Sequence, residues 1–513
     1  MLGLVQNLVK RVYNVDALNA FNEVLQDTLS CSSKEEKECF LKGIRDCLDE
    51  IQVMSDYYRI YLLSILIAYE EKKEDVVKVL VAAKESTELT KENKYYLIRQ
   101  LDRIAFKKPY LWSQKASAQI KELYDDLFEV YQEVLAPFLK PIAKEERNQN
   151  IVVVFTTQFL GIRHAPTHST VERCYYLQKE LGKQVLLINT REVTNCGQML
   201  FCNAEEPGLE PQFSEFNDLT YKDCKIDFFQ PDVPMPHIGV LQVILQMIQE
   251  IKPWFVLGMG DYSITADLSS KIVPMAALSF GFSVLPASHS KISILGRQLF
   301  TGEKQRLMKA GYQEGEIIES TFTFELHPQK KNLTRADLGL PEDKFLLVII
   351  GTRLHFDVTD EFVKRMIETF SWNTHLVFVG IMDNYEQMCK EYSLLAEHST
   401  FLGYQDDILA VVENCDLYVN PKRMGGGFSI IECFYKGVPG VTISYGDVAA
   451  AAGSDFWVED YDEMLKVIRQ YVTDKEFYQN QVKNGRKRLE VVLDGAKATR
   501  EMVTAIENNP NFF

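Results

Sequence analysis

The sequence predicts an α/β protein in which two Rossmann-like domains follow an all-α domain, and three observations carry that prediction. Residues 1–150 interleave charges with Leu, Ile, Val and Tyr at helical spacing and show almost no strand-like alternation. The pattern changes abruptly at residues 151–156 (IVVVFT), a short β-branched run of the kind that forms a buried parallel strand. A second such run, residues 345–350 (FLLVII), opens after a polar join, so strand and helix alternate in two separate stretches. Two facing domains of this type define a cleft, and ligands bind beyond the carboxyl ends of their strands.

The elements follow in order. Within residues 1–150, Pro109, Pro137 and Pro141 mark breaks between helices. The first Rossmann-like domain, 151–330, continues with strands at 184–189 and 254–257 and helices at 170–181 and 238–251. Residues 326–343 contain HPQKKN and then TRADLGLPEDK, a polar join and a short helix that separate the domains. The second domain, 331–513, continues with strands at 375–378, 417–419 and 440–443, and residues 474–509 read as helix.

Composition narrows the function. A chain of 513 residues supports about three domains with ordinary apolar cores. A formal net charge of −16 argues against a nucleic-acid backbone as partner. The ten cysteines include no CxxC pair and no His–Cys metal spacing, which favours reduced thiols in a cytoplasmic setting and no metal cofactor. The N-terminus acquires charge at Lys10 and Arg11 and has no signal-peptide character, and the apolar run 60–68 is too short to span a bilayer. Any membrane contact is expected to be peripheral, on the inner face.

Residues 420–453 (NPKRMGGGFSIIECFYKGVPGVTISYGDVAAAAG) carry the chemistry. Gly425, Gly426 and Gly427 allow backbone N–H groups to approach a ligand closely. Ser429 is placed to cap a helix over 430–436, whose start offers donors and a positive dipole end to a diphosphate. Glu432, expected on the first turn, has two oxygens that can accept from both hydroxyls of a ribose. The alternative is a plain strand-to-helix turn in which the glycines serve geometry alone.

At Pro421, Gly425 to Gly427, Ser429, Glu432, Gly437 and Pro439 the chain resembles the C-terminal half of retaining, nucleotide-sugar-dependent GT-B glycosyltransferases of the group 1 type. The resemblance implies a GT-B fold, with an acceptor-side first domain, a donor-side second domain and a C-terminal helix that crosses back. It implies Glu432 as the ribose ligand and an earlier Glu on the donor hexose, where this chain has Met424. Phe428 belongs to the same donor turn. After residues 345–350 comes GTRLHFD, where the family carries a phosphate-binding basic residue. Arg353 takes that place, and its planar fork would stabilise the leaving diphosphate. His355 and Asp357 stand where the family often adds a Lys, leaving Lys422 or Arg423 to supply a second charge.

The loop FLGYQDDI (401–408) resembles the family segment that brackets the nucleobase, with Tyr404 and Gln405 as contacts. In the first domain the loop TQFLGIRHAPTHST holds Gly161, His164, Thr167 and His168 as acceptor or cleft residues. His164 is either a catalytic contact or a histidine satisfied by a neighbouring carbonyl. GMGD (258–261) and His289 in SFGFSVLPASHS are further, weaker candidates. The YGD segment, 445–447, lies near the donor but contributes no nucleophile.

The expected activity is transfer of a sugar, UDP-linked, to a glycan or protein acceptor with retention. No metal is required, because in the family's usual proposal the leaving diphosphate itself deprotonates the acceptor. An N-terminal helical domain before a GT-B core also resembles cytoplasmic adhesin glycosyltransferases, which keeps a protein acceptor open beside a glycan. Two rivals stand beside this reading: a non-catalytic homologue that assists another transferase, for which Met424 speaks, and a nucleotide-sugar epimerase.

Overall fold

The computed structural model describes residues 2–9, 13–51, 53–161, 164–192, 200–204, 210–281, 283–299, 302–510 and 512. It divides into two compact units, Met1–Thr170 with Lys183–Met275 and Ala287–Ser290, and Val171–Gly182 with Ala276–Pro286 and Lys291–Phe513.

The first unit opens with α-helices, among them Val15–Cys31, Lys34–Glu50, Asp56–Glu70, Lys73–Glu85, Lys91–Lys107 and Gln114–Leu135. Their starts are written locally: Ser33 and Glu36 form a capping box, as do Thr90 and Asn93. Asp56–Glu70 is buried almost all round, from Tyr57 to Ile67, which explains why its run of apolar residues shows no amphipathic stripe.

Behind these helices lie strands β1 (Asn148–Thr156), β2 (Gln184–Asn189), β3 (Asp218–Tyr221), β4 (Cys224–Phe229) and β5 (Pro253–Met259), ordered β3-β4-β2-β1-β5. β1 pairs in parallel with both β2 and β5, Val153 standing opposite Leu186 and Val256. β3 and β4 form an antiparallel hairpin that the sequence pattern does not signal. They are short and partly exposed, so they lack the long apolar run that marks β1.

Helices and strands of this unit are joined by buried polar contacts. Tyr95 Oη donates to the carbonyl oxygens of Glu192 and Tyr262 at 2.9 and 2.6 Å, and Arg99 Nη1 donates to the Asp261 carbonyl at 2.7 Å. Tyr124 Oη donates to Asp267 at 2.6 Å. Glu192, fully buried, accepts from Ser263 Oγ and, at 2.8 Å, from Thr265 N.

The second unit contains β6 (Met275–Leu278), β7 (Ile292–Leu295) and β8 (Ile317–Glu319), which run parallel in that order. These three short strands are likewise unsignalled by the sequence pattern. Its larger sheet comprises β9 (Phe345–Gly351), β10 (Thr374–Gly380), β11 (Ser399–Phe401), β12 (Leu417–Asn420), β13 (Gly440–Ile443) and β14 (Trp457–Val458), in the order β11-β10-β9-β12-β13-β14. All neighbours are parallel. Side chains of β9 alternate between two cores: Leu346 and Val348 join the cluster under helix Gly427–Tyr435, whereas Leu347 and Ile349 join the one under Asp360–Glu368. A sheet covered on both faces is the reason this strand reads as continuously apolar. The C-terminal stretch is two helices, Lys475–Val492 and Gly495–Glu507, broken at Leu493–Asp494 where Asp494 caps the second. Gly495 packs against Tyr176, and Arg500 pairs with Glu180.

Candidate functional site

The carboxyl ends of β9, β10, β12 and β13 converge in the second unit, and glycines permit the approach. A Cβ on Gly380 would overlap the carbonyl oxygen of Gly351, and one on Gly351 would overlap the guanidinium of Arg423. Gly426, at φ +99°, sits directly on that guanidinium, 2.7 Å from Nη2 to where a Cβ would stand. Arg423 is therefore the floor of the glycine turn. It is 4% exposed, donates from Nη2 to Tyr418 Oη at 2.9 Å and lies 3.4 Å from Asp357 Oδ2, while its Nε has no hydrogen-bond partner. A buried arginine with one loose ion pair leaves positive charge under the turn.

The helix after the turn begins at Gly427, three residues earlier than the sequence suggested. Ser429 consequently does not cap it: its hydroxyl donates back to the Gly426 carbonyl at 2.9 Å, from inside the first turn. No side chain caps this start; Ser429 N donates to the Gly426 carbonyl at 3.1 Å, and a helix start of this kind leaves N–H groups ahead of it for an acceptor. The earlier start also moves Glu432 from the first turn to the second. Its carboxyl is half-buried and no described residue hydrogen-bonds to it. Burial pushes its pKa up to about 7.

Arg353 immediately precedes the short helix Leu354–Asp357 at the end of β9 and is half-buried. Burial raises the pKa of Asp447 to about 6, against hydrogen bonding from Ser283 and, more weakly, the charge of Arg353. Lys422 is exposed, with Nζ 5.4 Å over the ring of Tyr445 and its own N–H donating to Tyr461 Oη at 3.0 Å. Gly425 is buried, whereas Phe428 turns partly inward and meets Phe324 edge-on at 4.9 Å, so its ring is engaged in packing.

Beside the turn after β10 lies an open hollow of ≈ 520 Å³ lined by Gly380, Ile381, Asp383, Phe401 and Tyr404 among others. Tyr404 is 65% exposed at its edge. Gln405 turns back to donate to the Leu402 carbonyl at 2.7 Å, and Gly380 N donates to the Gly403 carbonyl at 2.8 Å. The segment thus presents a flat ring and backbone rather than a free amide.

The first-unit candidates are organised by one threonine. Thr167, fully buried, accepts from Leu160 N at 2.9 Å, and its hydroxyl lies 3.1 Å from His164 Nδ1. His164 N donates to the carbonyl of Gly161, which takes φ +94°, and its Nε2 lies 3.3 Å from Gln158 Nε2. Burial lowers the His164 pKa, so the ring is neutral at physiological pH. His168 is buried against Tyr221 Oη at 3.2 Å. His289 stacks on Phe128 at 4.0 Å, with Nε2 3.2 Å from Asp125, a packing environment on helix Gln114–Leu135.

Tyr418 and the glycines 351 and 380 were not among the sequence candidates, and the YGD and SFGFSVLPASHS segments were singled out without a role for Asp447 or Ser283. A Gly-Asp pair directly after a strand was the available signal for Asp447. Among the described residues no group of three or more His, Cys, Asp or Glu side chains could hold a metal ion, and no helix is long and apolar enough to cross a membrane.

The family model described as Glycosyl transferases group 1 matches residues 330–488, the segment that contains β9 to β14 and the glycine turn. In fold, the chain is similar to a mutant of the O-GlcNAc transferase from Thermobaculum terrenum, at 10% identity over 91% of this chain and 92% of that one, with a TM-score of 0.51. Also similar are Alr3699/HepE of Anabaena in complex with UDP and glucose (10% identity, 70% and 100% covered, TM-score 0.46) and a glycosyltransferase from Rickettsia africae (12%, 70% and 98%, 0.48). No curated protein matches the sequence. The fold is GT-B with a helical N-terminal region.

Proposed function

We propose that this chain transfers a hexose or N-acetylhexosamine from a UDP-linked donor to a glycan or protein acceptor, with retention. The observation that carries the reading is the joint placement of an uncapped helix start, a buried arginine under a glycine turn, Arg353 and an unpartnered Glu432 at the ends of four adjacent strands. Diphosphate oxygens match the helix N–H groups and Arg353. Ribose hydroxyls match the Glu432 carboxylate, and the nucleobase matches the hollow beside Tyr404.

In this reading the bond from the anomeric carbon to the diphosphate breaks as the acceptor oxygen bonds that carbon, and the acceptor proton passes to the departing diphosphate. Arg353 stabilises the charge that develops there, without recourse to a metal. His164 is the catalytic candidate of the first unit, its neutral ring suited to accepting a proton or orienting the acceptor. Free thiols at Cys174, Cys202, Cys415 and Cys433 support a reducing, cytoplasmic location.

Product analysis on a panel of radiolabelled UDP-sugars, scoring transfer, hydrolysis and epimerisation together, tests the proposal. Labelled acceptor is the expected product. UDP binding without turnover would favour a non-catalytic homologue, for which Met424 speaks, and an epimerised donor would replace the transferase reading.

A further inference from the structure

The resemblance at the glycine turn implies a carboxylate for the donor hexose at the position where this chain has Met424. We propose that Asp447 supplies the missing carboxylate and accepts hydrogen bonds from hydroxyl groups of the donor sugar, the acid having moved from the turn after β12 to the turn after β13. The inference rests on the nucleotide-sugar reading above.

The two turns are clasped by backbone. Asp447 N donates to the Met424 carbonyl at 2.6 Å. The preceding residue, Gly446, takes φ +74°, and a Cβ there would overlap the Arg423 carbonyl oxygen and stand 2.8 Å from that of Met424. Only glycine lets the chain pass this closely. The clasp sets the main chain of Asp447 directly against residue 424.

The carboxyl is built in but incompletely used. Asp447 is 7% exposed, and its Oδ1 accepts from Ser283 N at 3.1 Å. Among the described residues nothing donates to Oδ2 in hydrogen-bond geometry, and Arg353 acts on the group only through its charge. Ser283 Oγ, on a residue also 7% exposed, lies near the same carboxyl yet meets no hydrogen-bond geometry. Ser283 Oγ is a buried polar atom without a partner, and such atoms are uncommon in folded proteins, so this hydroxyl beside a carboxylate oxygen that no described residue bonds has acceptor and donor capacity for a polar occupant. A sugar fits: its hydroxyls donate to the carboxylate and exchange a bond with Ser283. Arg353 offsets the cost of burying the charge, so the acid is largely ionised above neutral pH.

The test measures affinities of UDP, UDP-glucose and UDP-N-acetylglucosamine for the full chain, wild type and Asp447→Asn, at pH 7.5. Asparagine keeps the shape and the bond from Ser283 N; Asp447→Ser serves if it fails to fold. The expected result is UDP affinity within about twofold of wild type and a loss of roughly tenfold or more for the preferred UDP-sugar, as befits a hydrogen bond to a charged group. Adding Met424→Glu to Asp447→Asn is expected to recover part of that loss, which a merely disturbed turn would not allow. Equal losses for UDP and UDP-sugar, no loss at all, or no recovery with Met424→Glu overturns the assignment of Asp447. Wild-type protein that binds none of the three nucleotides overturns the nucleotide-sugar reading itself.

Discussion

Glu432, proposed as the ribose ligand, is expected to carry a cost in stability. Its carboxyl is half-buried without a partner and its pKa is raised from 4.5 to about 7. The unfolded chain therefore loses this proton first as pH rises, and the folded state is penalised progressively between about pH 4.5 and 7 and fully above that. Glu432→Gln is expected to stabilise the protein at pH 8 by about 1–3 kcal/mol and to change little at pH 4, measured by urea unfolding at both values. The same variant should weaken UDP binding by roughly 1.5–3 kcal/mol through loss of a charged acceptor. A variant no more stable at pH 8 and with full UDP affinity would remove Glu432 from the site. Arg353 makes the complementary case, because in the proposed reaction charge on the leaving diphosphate grows as the bond breaks. Arg353→Lys is expected to lower turnover by roughly tenfold while calorimetry still detects donor binding, since a point charge replaces a fork. Wild-type turnover in that variant would place the guanidinium outside the reacting groups.

At the scale of elements, the turn after β12 depends on where its glycines stand. Gly426 combines a positive φ with a guanidinium directly beneath it, whereas Gly437, at φ +78°, has nothing within 4 Å of a Cβ. Both alanine variants incur left-handed strain of about 1–2 kcal/mol. Gly426→Ala must in addition displace Arg423 from its bonds to Tyr418 and Asp357, so its unfolding midpoint should fall well below that of Gly437→Ala and its UDP binding should be lost. Equal midpoints would show that the turn relaxes without moving Arg423. The glycine triplet itself was legible in the sequence. Which glycine carried the constraint was not, because Arg423 and the strand ends meet it only after the sheet has formed.

For the whole molecule, the N-terminal helices bear on the first unit's sheet through Tyr95, Arg99 and Tyr124, which reach Glu192, Tyr262, Asp261 and Asp267. Deleting residues 1–147 would strip donors from a buried region and leave Asp267 one bond poorer, as well as exposing apolar surface. The expected outcome is an insoluble or molten remainder, checked by expression, circular dichroism and dye binding. A folded remainder that hydrolyses donor but no longer modifies acceptor would assign these helices to acceptor recognition instead.

Periodicity and turn chemistry are local, so the sequence alone determined a helical first segment, strands at β1, β2, β5, β9, β10, β12 and β13, and a glycine turn before a carboxylate-bearing helix. It missed β6, β7 and β8, three or four residues each, because runs that short do not stand out from loop until neighbours supply their hydrogen bonds. It also misread the helix start at Ser429, since the first turn is set by Gly426 packing on Arg423 rather than by a capping hydroxyl. Tertiary structure alone decided that Asp447 lies against Met424 and that Arg423 lies under Gly351 and Gly426. Those meetings join residues far apart in the chain, and their energies come from burial and hydrogen bonds that exist only once parallel strands have brought their carboxyl ends together.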